Sequence, residues 1–482
     1  MTEPREGAAA GRIDVVEPGV QTTVQDLRGR RGFWAVGVPP SGAWDDVSFA
    51  LANVAVGNAE DAAGLESVMR GPVLRFRAPA VVCVTGAGSP TVDGQPVRCG
   101  IAVTVPAGGV LALGGPAGAG MRCYLAVRGG LAAEAALGSP ATFLLGGFGG
   151  HQGRALVAGD VLEVQSAEDC AAPRAVDHLL PRLSRKWDVR VIAGPHGAPE
   201  HLTPEGVVDL FATEWTVDHR SDRTGVRLVG ASPGWARPDG GDAGLHPSNV
   251  HDSAYPVGAV MLSGDTPVVV GPDGPSLGGF VVPCVVIAAD RWVFAQARPG
   301  DRVRLCPVTP EHAAEANSAR ASLLLPVPPQ RGYAAPAAAS GRPVPLAVLP
   351  DLVVRRSGDH HLLAEAGPPV LDLDVRLRVH LLAQALAGTR GVTDAVEGVR
   401  SLLLSVDDRV LTLPALAELV AAAWLDLPDP ETVVLPVRDV VLPIAFDDPS
   451  VHEAMARYQR SVRPDAPWCP DNVEFIRRVN GL

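Results

Sequence analysis

Glycine and proline punctuate this chain so densely that long helices and long strands have little room. Of 482 residues, 53 are Gly and 45 are Pro, enough to interrupt every apolar run within a few residues. Gly supplies positive-φ turns, while Pro locks φ and removes a backbone donor. Between these breaks, short apolar runs recur at regular spacing: Ile13–Val16, Val73–Phe76, Ala80–Thr85, Ala102–Val105, Gly109–Leu113, Tyr124–Val127 and Val161–Val164. Such spacing predicts a mainly β fold of barrels or sandwiches. One helix is expected over Asp45–Val56, where Val47, Leu51, Val54 and Ala55 fit helical periodicity.

The theme repeats. Residues 165–186 read as a connection, and 187–306 carry further short β runs, including Val257–Leu262, Pro267–Val270 and Phe280–Ile287. AGDVLEV at 158–164 and PGDRVRL at 299–305 are both Gly-Asp turns feeding a final strand, a weak internal repeat. The expected organisation is a disordered leader over 1–12, a first β half at 13–165, a second at 187–310 and a linker at 311–345. Pro and Ala are densest over 326–345. Residues 346–482 read as an α+β C-terminal module. Helices are expected at Asp374–Ala387, Ala415–Leu425 and Val451–Val462, and strands at Ala347–Val354, Ser401–Val406, Thr432–Val437 and Val440–Ile444.

Composition excludes several functions. A net charge of −12 argues against a nucleic-acid backbone as partner. Basic residues are scattered, without a block suited to a membrane surface, and no apolar run is long enough to span a bilayer. Lys186 is the only lysine, so no P-loop is present and any ATP step by a P-loop belongs to a partner. Its SRKWD context is unlike a biotin attachment site, so no biotin is expected on this chain. Seven dispersed cysteines without a CxxC pair predict no zinc or other metal site and a reducing, cytoplasmic setting.

Residues 237–280 concentrate polar chemistry. Asn249, His251, Asp252, Ser253, Tyr255, Asp265, Asp273 and Ser276 fall within 28 positions, among short β runs and turns. Either these are solvated hairpin turns or they line a site held by rigid strands. His251 beside Asp252 could form an oriented acid/base pair, or Asp252 could cap a turn while His251 packs. Asp265 and Asp273 sit in turn-forming dipeptides. Ser276 with Gly278 and Gly279 could expose an anion-binding nest. Elsewhere, Ser41 and Asp46 precede or begin the first helix, as an N-cap or a pocket wall. His151, Gln152 and Arg154 lie on a glycine-rich loop, and Arg223 could pair with carboxylates or bind a carboxylated ligand.

These segments carry a resemblance. LHPSNVHDSAYPVGA and GDTPVVVGPDGPSLGGFVVP look like the carboxyltransferase region of urea carboxylase, within the allophanate-hydrolase-subunit-2 family that also includes a 5-oxoprolinase subunit. PGVQTTVQDLRGRRGFWAVGVPPSGAWDD at 18–46 and LLGGFGGHQGRAL at 144–156 agree with it. GDHHLLAEAG with DLDVRLRVHLL resembles the start of the allophanate-hydrolase-subunit-1 family, and the tail RPDAPWCPDNVEFIRRVNGL resembles urea carboxylase specifically. The implied fold is two cyclophilin-like β-barrel halves followed by a partial subunit-1-type module, truncated at its C-terminus. The sequence departs from the family pattern at Ser253, where Asn is common, at Pro140, where Arg is common, and at Trp44, where Met is common.

The resemblance implies transfer of a carboxyl group from carboxybiotin, on a separate carrier protein or domain, to a nitrogen of urea or a related amide. Biotin carboxylase and biotin carrier protein would be partners. Two other readings stay open: a subunit of an ATP-dependent 5-oxoprolinase, working with that enzyme's other subunits, and a non-catalytic regulatory binding protein. A urea nitrogen is a weak nucleophile because its lone pair is delocalised. A site must therefore hold the planar amide, help remove its proton and stabilise charge on oxygen. Asn249, His251, Asp252 and Tyr255 are the expected catalytic set. Ser253, Asp265, Asp273, Ser276, Ser41, Asp46, His151, Gln152, Arg154 and Arg223 are the expected substrate-binding set.

Overall fold

The computed structural model describes residues 11–240, 244, 246–321 and 344–481. The leader expected over 1–12 and the Pro/Ala segment expected over 326–345 fall largely outside them. The first half runs β1 (Gly11–Glu17), β2 (Gln21–Gln25), α1 (Asp46–Val56), β3 (Gly64–Val68), β4 (Val73–Phe76), β5 (Ala80–Gly86), β6 (Thr91–Val92), β7 (Gln95–Pro96), β8 (Val103–Val105), β9 (Val110–Ala112), β10 (Arg122–Val127), β11 (Leu131–Ala132) and β12 (Val161–Val164). Among the described residues these form two sheets, ordered β11-β12-β1-β4-β9-β6-β7 and β2-β3-β10-β5-β8. Ile13, Val15, Leu74, Val84, Leu111 and Leu125 share the core between them. The expected helix forms as α1. Asp45 caps it, accepting from Ser48 N at 2.9 Å, and Leu51, Ala55 and Val56 pack on Cys83 and Ala126. Such a cap contributes about 1 kcal/mol.

The second half closes. β13 (Lys186–Ala193), α2 (Pro204–Ala212), β14 (Trp215–Val217), β15 (Gly225–Val229), β16 (Asn249–Ala254), β17 (Ala259–Ser263), β18 (Thr266–Val270), β19 (Leu277–Phe280), β20 (Cys284–Val286), α3 (Trp292–Gln296), β21 (Arg302–Pro307) and α4 (Pro310–Ala321) follow in order. A closed barrel runs β13-β20-β17-β18-β15-β14-β21, sealed by parallel pairing of β13 with β21. β16 and β19 stand apart as a two-stranded sheet. Trp44, from the first half, is buried in the barrel core with Trp187, Trp215 and Leu305. The linker expected from 311 instead begins as a helix, because EHAAEANSAR is rich in helix-forming residues.

Beyond the linker come β22 (Pro345–Leu349), β23 (Leu352–Arg356), β24 (His361–Ala366), α5 (Leu373–Leu386), β25 (Val392–Glu397), β26 (Ser401–Val406) and α6 (Leu413–Leu425). The sheet order is β22-β23-β24-β26-β25, and α5 and α6 bury Val379, Leu382, Leu416 and Val420 in its core. The single strand expected over Ala347–Val354 is a hairpin, turning between Leu349 and Leu352. The compact unit ends at Pro430, and Glu431–Leu482 make a second unit with α7 (Pro449–Ser461) and α8 (Asn472–Val479). The strands expected at Thr432–Val437 and Val440–Ile444 do not form. Among the described residues they find no partner strand, and Pro436 and Pro443 withhold ladder donors.

A buried ion chain joins the two halves. Arg223 of the second half donates to Asp273 at 2.6 Å, and across the boundary to Glu66 at 2.6 Å and to Gly42 O at 2.8 Å. Glu66 also faces Arg122 at 3.4 Å and accepts from Trp44 N at 2.9 Å. Burial pushes the Glu66 carboxyl up, but Arg223 and Arg122 outweigh it and hold it below its ordinary value. Gln296 adds a second stitch. Its amide donates to Asp45 and to Arg122 O, and accepts from Met121 N and Arg122 N. Burial still raises the Asp45 carboxyl to about 6.

The internal repeat holds bond for bond. Gly159 N donates to Val15 O at 2.8 Å, and Val15 N donates to Asp160 O at 2.9 Å. In the second half Gly300 N donates to Val217 O at 2.9 Å, and Val217 N to Asp301 O at 3.0 Å. Each aspartate then accepts from the backbone N–H three residues before it, Val157 or Arg298. The Gly-Asp turn is thus a clamp that seats the final strand of each half.

Both features can be tested by substitution. Arg223→Met leaves Asp273 buried without its bonded cation and Glu66 with Arg122 alone, and denaturant melts should show a loss of about 3–5 kcal/mol. Adding Glu66→Gln and Asp273→Asn should recover part of it. Separately, Arg154 bonding holds Asp160 down to about 2, below its ordinary 3.8. That stabilisation is complete above the ordinary value and is lost as pH falls toward about 2. Thermal midpoints should therefore drop less steeply over that acid window in Asp160→Asn than in the wild type.

Candidate functional site

β16 carries the densest run of candidate residues, and its bonding separates them. It pairs antiparallel with β19, Asn249 opposite Phe280 and Ser253 opposite Gly278, with a bulge between. Arg237 holds the approach to this strand, donating to Pro247 O and Asn249 O. Asp252 is buried and accepts from Ser401 Oγ and from Arg400 N, both at the start of β26. No hydrogen bond links it to His251. The expected His251–Asp252 pair therefore does not form, because successive strand residues diverge and Asp252 belongs to the contact with the C-terminal sheet. The alternate residues are uncommitted. His251 Nε2 and Ser253 Oγ are buried without a partner, and the Asn249 amide has none among the described residues.

Tyr255 is placed differently from expectation. Its ring lies in a core with Ala259, Val270, Val282 and Val285, and its hydroxyl accepts from Phe280 N at 2.7 Å. Burial raises its phenol well above the ordinary range. It is a packed, protonated tyrosine that fastens β19. Gly278 and Gly279 lie in β19 without positive φ, so the expected nest beside Ser276 is absent; a side chain at Gly278 would strike the Tyr255 ring. Ser276 instead offers its carbonyl to Tyr255 N.

The remaining candidates scatter. Asp273 and Arg223 are the buried ion chain, and Ser41 reaches the same turn through Ser41 N to Pro272 O at 2.9 Å. Ser41 Oγ is buried and unpartnered. Asp46 pairs with Arg320 of α4, and Asp265 accepts from Trp235 Nε1 at 2.9 Å on an exposed turn. On the glycine loop, Arg154 bonds Asp160 and Gln152 while His151 lies 3.5 Å from Asp160. These side chains close the loop onto the Gly-Asp clamp. Among the described residues no group of three or more His, Cys, Asp or Glu is placed to hold a metal ion.

Folding adds residues that motif reading missed. His196 and His201 are buried against the C-terminal sheet, their rings 5.0 Å apart. His196 Nδ1 accepts from Val282 N at 3.0 Å, so Nε2 carries the proton, 3.9 Å from Glu365. Glu365 is paired with Arg355 and Arg400. Burial, reinforced by nearby cations, lowers His196 to about 3 and His201 to about 2, so both rings are neutral. His201 Nδ1 and Arg400 Nε are buried without partners. The signals in the sequence were two histidines in the Gly/Pro turn GPHGAPEHL and, for Glu365, its place in GDHHLLAEAG; Arg400 gave none, since it meets the second half only in three dimensions. The seam thus combines neutral imidazoles, cations and unpaired polar atoms, a donor and acceptor set suited to a planar polar molecule.

Comparison with known proteins is consistent along the whole chain. A family profile described as carboxyltransferase domain, subdomain A and B, matches residues 36–307, and one for subdomain C and D matches 352–480. A urea amidolyase from Lachancea kluyveri is 36% identical over 98% of this chain, which spans 27% of that relative. A 5-oxoprolinase subunit from Escherichia coli is 31% identical, over 63% of this chain and 94% of its own length. The crystal structure of Kluyveromyces lactis urea carboxylase superposes with a TM-score of 0.88 at 34% identity, covering 100% of this chain and 44% of that one. The chain therefore spans about a quarter of the urea amidolyase relative's length.

The seam has a testable point of tightest approach. A Cβ at Gly398 would overlap the Asp252 carboxylate and crowd Ser401 Oγ. Gly398→Ala should lower the melting temperature and detach β16 from β26, seen as faster hydrogen exchange in both strands, whereas Gly118→Ala, with open space around it and no positive φ, should leave their exchange unchanged.

Proposed function

The chain belongs to the carboxyltransferase family of subdomains A to D, and from that membership we propose that it acts as the carboxyltransferase region of a biotin-dependent urea carboxylase. One observation carries the choice of branch. The urea amidolyase relative aligns over 98% of this chain, whereas the 5-oxoprolinase subunit aligns over 63%. The acceptor is urea or a closely related neutral amide. The carboxylated carrier and the biotin carboxylase that charges it are partners, on other domains or other chains. Among the described residues no helix is long and apolar enough to cross a membrane.

The site we assign is the set of uncommitted side chains on β16. Asn249 offers a carbonyl and an amide together, which matches the N–H and C=O groups of a neutral planar amide. Ser253 Oγ provides a further hydroxyl, and His251 Nε2 accepts or returns the proton at the acceptor nitrogen. Asp252 acts through Ser401 and Arg400, holding β16 against the C-terminal sheet. The unpaired His251 Nε2 and Ser253 Oγ also fit a polar ureido ring such as that of biotin. Carboxybiotin, when bound, supplies the activated carboxyl group. The protein's part is to orient the acceptor, move its proton and exclude water.

The test is discharge of a carboxylated biotin carrier by the purified chain with urea, guanidine, 5-oxoproline or water as acceptor. Urea-dependent discharge is expected, with His251→Ala reducing it at least about 100-fold while the melting temperature stays near that of the wild type. Discharge indifferent to acceptor would reject the assignment. Activity surviving in His251→Ala would move the site elsewhere.

A further inference from the structure

Among the buried and half-buried groups where the second half meets the C-terminal sheet, three guanidiniums (Arg237, Arg355, Arg400) face two carboxylates (Glu365, Asp252). Arg355 and Arg400 share one buried carboxylate, Glu365. The other buried carboxylate at this seam is Asp252, whose oxygens accept from Ser401 Oγ and Arg400 N. A third guanidinium, Arg237, donates to the neutral carbonyl oxygens of Pro247 and Asn249. The carboxylates that act on it, Asp239 and Glu200, are exposed, as is the 3.9 Å approach of Glu200 to Arg355, and solvent and salt screen them. Arg237, Arg355 and Arg400 all act on the rings of His196 and His201, which contribute no charge of their own.

Two hydrogen-bonding atoms in this cationic region are unspent. Arg400 directs one terminal nitrogen at Glu365 and the other at the carbonyls of Ala366 and Gly367, while its Nε is buried without a partner. His201 Nδ1 is buried without a partner as well, on a ring only 8% exposed. An unpaired guanidinium N–H and a neutral imidazole, a donor in its Nδ1–H tautomer, set beside three guanidiniums, match an anion with two oxygens.

We propose that this seam is a carboxylate-binding site, in which Arg400 Nε and His201 Nδ1 donate to the carboxylate of a planar N-carboxylated amide. The inference rests on the reaction proposed above. Moving a carboxyl group to a urea nitrogen breaks the C–N bond to the donor and forms a new C–N bond. The proton displaced from the acceptor passes to the donor nitrogen. A neutral amide enters and an anion leaves, so a site with surplus cations favours the carboxylated form over the free amide. Both donor and product are carboxylated ureas, and both present this chemistry. Asp252 links the two regions, because the strand that carries His251 and Ser253 is fastened through it to Arg400 and Ser401.

The test uses oxamate, a planar amide bearing a carboxylate, and oxamide, its neutral counterpart, with binding to the full chain followed by ligand-observed NMR. Oxamate should bind at least about tenfold more tightly than oxamide. His201→Phe keeps the ring contact with His196 and removes Nδ1; Arg400→Lys keeps the charge beside Glu365 and removes Nε. Each should weaken oxamate by about tenfold and leave oxamide unchanged, with melting temperature as the control for folding. Displacement of oxamate by urea would place the carboxylate at the acceptor end, and displacement by free biotin at the donor end. Equal binding of oxamate and oxamide by the wild type overturns the proposal without any variant. Oxamate affinity untouched in folded His201→Phe and Arg400→Lys also overturns it. Because binding is read without turnover, selective oxamate binding in a chain that does not discharge a carboxylated carrier to urea would keep the carboxylate site and reject the urea carboxylase reading.

Discussion

The Arg122–Glu66–Arg223–Asp273 chain is the contact on which the architecture depends. Each of its charges is almost removed from water, and a buried charge is tolerable only when its partners are in place. Two of those partners come from each half. The chain therefore acts as a register, admitting one relation of the first half to the second in which every ion is satisfied. Trp44 enters the second barrel core beside it, and Gln296 spans back to Asp45 and the backbone around Arg122. Hydrophobic burial drives the two halves together, and the ion chain selects how they meet.

That register places β16 at the edge of the second half, where the C-terminal sheet closes on it. The seam is polar on both sides. Asp252 meets Ser401 and Arg400, Glu365 gathers Arg355 and Arg400, and His196 and His201 lie neutral between them. A packed interface this polar would ordinarily pair every buried atom. Here His201 Nδ1, His251 Nε2, Ser253 Oγ and Arg400 Nε are left over. Left unpaired, such atoms cost stability, and a polar ligand that reached them would recover it.

Legibility varied with range. α1 and both Gly-Asp clamps were readable because cap, period and turn chemistry are local. The strand expectation at Thr432–Ile444 failed for the opposite reason: β-branched residues signal a willingness to pair, and pairing needs a partner that the local sequence does not contain. His251 and Asp252 looked like an acid/base couple because they are neighbours in sequence, but adjacent residues on a strand face opposite ways. Arg154 and His151 suggested a ligand loop, whereas Asp160, a few residues on, absorbs them. Arg400 and His201 carried no motif at all, and only the closing of the C-terminal sheet on the barrel brings them to one place.

By itself the sequence determined the mainly β class, the Gly-Asp turn that recurs before the strands at Val161–Val164 and Arg302–Pro307, and the family to which the motifs belong. These rest on turn residues, periodicity and contiguous motifs, all of which act over a few residues. Only the tertiary structure decided which polar side chains are committed. Asp252, Asp273, Arg223 and Tyr255 became parts of the framework, while His251 Nε2 and Ser253 Oγ took no partner. The physical reason is that a polar group's role depends on whether a partner reaches it once water is gone. Those partners, Ser401, Glu66 and Phe280 N, lie 25 to 157 residues away along the chain.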